Sequence, residues 1–209
     1  PERTWTVANY SDPEIVTDQA SINAKFAGSP ITILYLSNFI AQKGYLDLLN
    51  AYQRLDEATR NVIGLEFAGA FDEDADRRDF VERIAGDPRI RFHGKVTGEV
   101  KRTLLTASHV LCLPTRFREG QPLVILEAYA AGCAVIATPM GGIPDILTDG
   151  INGFFFPPGD IERLGATLAA LPSQRDMLRG MAMNNHRTAT HRYTVAAYAE
   201  GVESVMDKV

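Results

Sequence analysis

The sequence lacks most of the features that settle a function at once. It has two cysteines and one tryptophan in 209 residues. Cys112 and Cys133 sit in apolar runs, VLCLP and GCAVI, so buried free thiols in a reducing cytoplasm are expected rather than a disulfide. No set of Cys, His, Asp and Glu has the spacing of a closed metal site. There is no basic run and the net charge is -5, which argues against a nucleic-acid partner, because a phosphate backbone demands cationic contacts. No apolar stretch approaches the ~20 residues of a membrane helix. No amino-terminal signal pattern is visible, and the chain begins at Pro1 rather than Met, as a piece of a larger parent would. G-x-G-x-x-G and G-x-x-x-x-G-K-[ST] are both missing, which removes the standard dinucleotide fingerprint and the P-loop.

What is present is a two-beat rhythm. The chain is 45% hydrophobic, enough for a sizeable core. ITILYLSN (31–38) reads as a strand buried on both faces, and VIGLEFAG (62–69), RIRFHG (89–94), HVLCLP (109–114), AVIAT (134–138) and GFFFP (153–157) as further strands. Helical stretches follow at 44–56, 74–85, 99–107, 122–131 and 161–171, with the short GGIPDIL segment after AVIAT. Strands alternating with helices predict an α/β fold, a doubly wound, Rossmann-like parallel sheet of six strands. Residues 1–29 are polar and irregular and read as a linker or added edge, with TWTVA as a candidate strand. Two helical stretches at 174–187 and 193–207 close the chain. The second carries Tyr198, Val202, Val205 and Met206 as apolar positions, with no strand after it to pack on. Its partner is either the domain's own surface or something outside the chain.

In an open α/β sheet, ligands bind beyond the carboxyl ends of the strands. The turn PTRFREGQP after the fourth strand leads into LVILEAYAAG. Pro122 suits the first helical position. The amides of Leu123 and Val124 then fall in the first turn, free to meet an anion with help from the helix dipole. Glu119 stands just upstream, and Glu127 lies inside the apolar run, where a lone carboxylate is costly to bury. If both were helical, their separation of eight residues at ~100° each would leave them ~80° apart. They are not an acid–base pair. They bracket one elongated ligand. Lys43, in the turn after the first strand, would complement a diphosphate there.

Pro114 to Asp160, PTRFREGQPLVILEAYAAGCAVIATPMGGIPDILTDGINGFFFPPGD, resembles the carboxy-terminal donor domain of retaining glycosyltransferases of the GT-B fold, family 4. Glu119, Glu127, Gly132, Val135, Thr138, Gly141, Gly142, Asp149, Gly150, Gly153, Pro158 and Asp160 match that pattern. Upstream, LSNFIAQKG, LEFAG, RIRFHGKV and ASHVLCLP resemble the family's earlier loop and strands.

The resemblance implies a nucleotide-diphosphate sugar as donor substrate, with no obligatory metal or cofactor. It implies that Glu127 accepts from both ribose hydroxyls and that Glu119 contacts the sugar and steadies charge at the reacting carbon. Gly120, Gln121, Leu123 and Val124 surround the sugar and phosphate, Lys43 binds the diphosphate, and the backbone of Gly94, Lys95 and Val96 holds the base. It divides the chain into the 1–29 linker, a donor-binding domain at 30–188 and, at 189–209, a helix that crosses to an amino-terminal domain. That domain would supply the acceptor, a glycan or lipid-linked saccharide. The implied location is cytoplasmic, with peripheral contact at the inner membrane face.

One departure matters: Asn38 stands where the family has a loop arginine, so neutralisation falls more on Lys43 and on Arg116 or Arg118, between which the sequence does not choose. A second, Pro122 in place of a glycine, removes one amide donor. The rival readings are a non-catalytic nucleotide or sugar-phosphate binding module and another GT-B enzyme, such as a nucleotide-sugar epimerase. The remaining singular residues read as structural. Gly141, Gly142, Asp149, Gly150 and Gly153 suit turns, Asp72 to Asp76 a solvated helix start, and His93 and His109 the edges of strands.

Overall fold

Apolar runs that need cover on both faces assemble into one parallel sheet in the computed structural model, which describes residues 5–28 and 30–207. The strands are β1 (Ile31–Leu36), β2 (Ile63–Ala68), β3 (Ile90–Phe92), β4 (Val110–Leu113), β5 (Ala134–Ala137) and β6 (Gly153–Phe155). They lie in the order β3-β2-β1-β4-β5-β6, and every pairing is parallel. β1 runs in register with β2 from Ile31 opposite Ile63 to Leu36 opposite Ala68, and meets β4 at Ile33 opposite Val110. Every residue of β4 and β5 is buried, which is why these strands are continuously apolar rather than alternating.

The helices are α1 (Gln19–Ala27), α2 (Tyr45–Gln53), α3 (Glu57–Arg60), α4 (Asp74–Ile84), α5 (Gly98–Ala107), α6 (Leu123–Ala130), α7 (Ile161–Ala170), α8 (Arg175–Arg192) and α9 (Val195–Met206). One core lies on the α2, α4 and α7 face and is rich in aromatics, with Phe39, Tyr45, Phe67 and Phe80 packed ring against ring. The other lies under α5 and α6, around Leu111, Ile125, Leu126 and Tyr129. The chain leaves β3 at one edge and returns to the far side of β1 as β4. That reversal opens a crevice between the ends of β1 and β4. Among the described residues no helix is long and apolar enough to cross a membrane.

The ends differ from expectation. No residue of TWTVA within the described part is in a strand, and Thr4 lies outside it; nor do residues 5–28 add an edge to the sheet. They hold α1 instead. Asp18 caps it, its Oδ1 accepting from the Ser21 amide at 2.7 Å, and Ile22 and Phe26, four apart, bury the helix against the domain. The helix expected at 174–187 runs on to Arg192. α9 forms as expected, yet none of its residues is buried; Tyr198 stacks on Tyr10 at 5.2 Å between ring centroids.

His109 is structural, as the sequence indicates. Its Nδ1 accepts from the Thr32 amide at 3.0 Å and its Nε2 donates to the Lys25 carbonyl at 2.9 Å, tying α1 to the sheet. Burial pulls its pKa from 6.5 down to about 4. His93 is fixed likewise, Nε2 lying 2.6 Å from Glu66. Both cysteines are free and buried.

Candidate functional site

The site begins where the β1 and β4 loops are stitched together. The Arg116 amide donates to the Gln42 carbonyl at 2.7 Å. Gly44 allows this approach, because a Cβ there would lie 2.0 Å from the Pro114 carbonyl oxygen. The stitching brings Lys43 to Glu119, and the two form a direct ion pair through Nζ and Oε1. The Lys43 ammonium also lies 5.0 Å from the Phe117 ring centroid, a cation–π contact. Lys43 ends a single 3₁₀ turn, Ala41–Lys43, just ahead of α2 rather than within it.

Glu119 is fixed from behind by the turn after β5. The Gly142 amide donates to the Glu119 carbonyl at 3.0 Å. A Cβ on Gly141 would meet that same oxygen at 2.0 Å, and one on Gly142 would meet the Gly120 oxygen at 2.2 Å. These glycines therefore do more than turn the chain: they let β5's loop lie against the backbone that presents Glu119.

α6 then runs back into the core. Pro122 is its N-cap, with φ -64° and ψ 114°, one position earlier than the sequence indicated. Leu123 and Val124 open the helix, so no helical carbonyl takes their amides. Five of the next six residues are buried apolar or small side chains, and the sixth is Glu127. Its carboxylate is not alone. Lys101 of α5 donates to Oε1 at 2.6 Å.

An open cleft of about 520 Å³ lies along this edge, lined by Leu36, Ser37, Asn38, Gly69, Ala70, Asp72, Lys95, Val96, Lys101, Leu123, Val124 and Glu127. Of the residues singled out from the sequence, Asn38, Lys95, Val96, Leu123, Val124 and Glu127 come together on its wall. The others are placed differently. Gly94 is one residue outside the lining, and its carbonyl accepts from the Gly69 amide at 2.8 Å. Gly120 and Gln121 face a neighbouring hollow with Asn9, Gly142, Asp145 and Arg192. Gln121 Oε1 accepts from the Asn9 amide at 2.5 Å, so this side chain is turned to the entering segment and not to the cleft. Lys43 and Glu119 pair beside the cleft rather than on its wall.

The two arginines are placed differently. Arg116 is engaged by buried Asp47 of α2, with Nη2 2.7 Å from Oδ1 and Nε 3.1 Å from Oδ2. Arg118 is exposed and forms no ion pair among the described residues. Sequence reasoning missed Lys101 and gave Asp72 no place at the cleft. Asp72 belongs to a run read as a helix start, but α4 begins only at Asp74, which leaves Asp72 on the cleft wall. Lys101 carried no signal beyond being one more helical lysine.

Comparisons with known proteins bear on this site. The family model for glycosyl transferases group 1 matches residues 30–174. The phosphatidyl-myo-inositol mannosyltransferase of Mycolicibacterium smegmatis is 29% identical over 99% of this chain and 55% of its own length. The sulfoquinovosyl transferase of Arabidopsis thaliana is 29% identical over 69% of this chain and 27% of its own. The chain thus spans about half or less of the curated relatives it matches. Among solved structures, Anabaena HepE in complex with UDP-glucose superposes with a TM-score of 0.80 at 19% identity, over 97% of this chain and 57% of that one. WaaG, a glycosyltransferase involved in lipopolysaccharide biosynthesis, gives 0.78 at 19% identity, over 98% and 56%.

Proposed function

From the premise that this chain belongs to the glycosyl transferases group 1 family, we propose that it is the donor-binding half of a retaining glycosyltransferase. Residues 30–188 hold a nucleotide-diphosphate sugar, and within 189–209 the helix α9, Val195–Met206, crosses to an upstream domain. That domain brings the acceptor, a glycan or a lipid-linked saccharide, and would carry any contact with the inner face of a membrane. The solved HepE complex with UDP-glucose supports a nucleotide sugar as the ligand class.

The observation that carries the reading is the grouping along one edge of the sheet. The α6 amino-terminus and Glu127 line one cleft, with the Lys43–Glu119 pair at its side. The base lies toward Lys95 and Val96, and the ribose hydroxyls donate to Glu127. The diphosphate meets the amides of Leu123 and Val124, where the helix dipole favours negative charge. Lys43 leaves Glu119 in part to bind the phosphates, and Glu119 takes the sugar hydroxyls. As the bond between the anomeric carbon and the phosphate oxygen breaks, Lys43 and the helix terminus stabilise the leaving diphosphate. The acceptor hydroxyl forms its bond on the same face, which retains the anomeric configuration. With Arg116 held by Asp47, Arg118 is the arginine available to supplement Lys43.

A second reading, a binding module without catalysis, draws on that same arrangement: Asn38 carries no charge and Arg116 is committed elsewhere. Joining the chain to its upstream domain and assaying sugar transfer separates the two. Transfer that is lost in Lys43→Ala supports the enzyme. Nucleotide binding without transfer supports the module.

A further inference from the structure

We propose that Lys101 is a positioning residue for the donor, one that sets the carboxylate of Glu127 for the ribose hydroxyls. The inference rests on the donor-site reading above and assigns a role to a residue that reading does not use.

The placement comes from α5. Leu104 and Leu105, three and four residues after Lys101, both pack into the core shared with α6, so Lys101 lies on the same stripe of the helix. Its ammonium emerges at the cleft wall, 28% exposed, while the Glu127 side chain it meets is 10% exposed. A carboxylate so far buried needs a partner to stay charged inside an apolar helix. Lys101 supplies one and takes a single oxygen, Oε1. Oε2 accepts no hydrogen bond among the described residues, and it is not a sealed, unsatisfied atom. A carboxylate has about four acceptor positions. The ammonium thus fixes one oxygen and leaves the other without a partner among the described residues, in a side chain that lines the cleft and can accept from a pair of vicinal hydroxyls there.

The ion pair also cancels the negative charge of Glu127 in a cleft that is to receive a diphosphate. Lys43, at the side of the cleft, is placed for the phosphates.

The test compares UDP and GDP with their 2′-deoxy counterparts by calorimetry, using the wild-type chain, Lys101→Met, Lys101→Arg and Glu127→Gln. The wild type is expected to prefer the ribonucleotide about tenfold, the order of a hydrogen bond to a charged acceptor. Lys101→Met is expected to weaken ribonucleotide binding about tenfold and to bring the ribo-to-deoxy ratio near one. Lys101→Arg restores the preference, and adding Lys101→Met to Glu127→Gln changes nothing further. Should Lys101→Met give no cooperative melt, Lys101→Gln takes its place and the same ratio decides. The proposal is overturned if the variant binds like the wild type, or if it loses affinity for both nucleotides equally. A wild type that binds neither nucleotide, nor ADP, overturns the donor-site reading itself, which is a different and separately visible outcome.

Discussion

Two carboxylate–lysine pairs stand at this site, and they are built differently. Lys43 and Glu119 come from loops, 76 residues apart in sequence, that leave β1 and β4 on the two sides of the topological reversal. Lys101 and Glu127 are 26 apart and sit on two packed helices, α5 and α6. Loop residues on a rigid scaffold are free to exchange partners, whereas residues on packed helices keep a geometry. Under the proposed donor-site reading, that difference would give the loop pair the reacting part of the donor and the helix pair the part that does not react.

The largest expected effect comes from breaking the loop pair. In the chain joined to its upstream domain, Lys43→Ala should lower kcat for transfer by about 100-fold or more, as removal of one group aimed at developing charge does. Lys101→Met should act mainly on donor affinity. A kcat loss of equal size in both variants would erase the distinction between the pairs.

The next effect probes how Glu119 is held. Gly141 has φ +60°, and a Cβ there would lie 2.0 Å from the Glu119 oxygen, whereas Gly150, at φ +74°, has nothing within 4 Å. Gly150→Ala should cost about 1–2 kcal/mol, the left-handed backbone alone. Gly141→Ala should cost more than that in denaturant unfolding and should also impair transfer. Equal costs would mean that the β5 turn does not buttress Glu119.

Buried His109 gives the fold a pH dependence between about pH 4 and 6.5. His109 precedes β4, at the end of the strand opposite the cleft. Its folded pKa of about 4 lies below the ordinary 6.5. Between those values the unfolded chain binds the extra proton and the folded chain does not, so stability is complete above about pH 6.5 and falls as pH drops toward 4. The loss is of order 3 kcal/mol. Replacing His109 with Gln should flatten that slope in urea melts at pH 7, 6, 5 and 4. An unchanged slope would place the titrating group elsewhere.

The smallest effect on binding belongs to Arg116. Because Asp47 holds it, Arg116→Ala should leave nucleotide affinity within about twofold, while leaving the buried Asp47 carboxylate unpaired should cost about 2–3 kcal/mol of stability. Arg118→Ala should do the reverse, weakening binding without a change in the melt.

How far the sequence carried these conclusions depends on range. Apolar, β-rich runs alternating with helical ones made all six strands and the parallel sheet legible, although the edge strands β3, with Arg91 exposed, and β6 are not buried on both faces. Glu127 was legible because a carboxylate among Leu126, Ala128 and Tyr129 contradicts its surroundings. α1 was not, since its burial rests on Ile22 and Phe26 alone within a polar segment. The partner of Glu127 was invisible for a different reason. Lys101 lies on another helix, and only the packing of α5 on α6 brings it within 2.6 Å. The engagement of Arg116 likewise depends on Asp47, a buried aspartate on α2 that no local pattern links to the β4 loop. Pro122 was displaced by one position because it serves as the N-cap here.

The central claim is that the cleft takes a nucleoside diphosphate with its ribose on Glu127. The most direct test is the affinity of UDP, GDP and ADP for the wild-type chain and for Glu127→Ala, measured by calorimetry. The account predicts that at least one nucleotide binds the wild type with a Kd below the millimolar range, and that Glu127→Ala weakens it about tenfold or more. Equal affinity in the two proteins would contradict it.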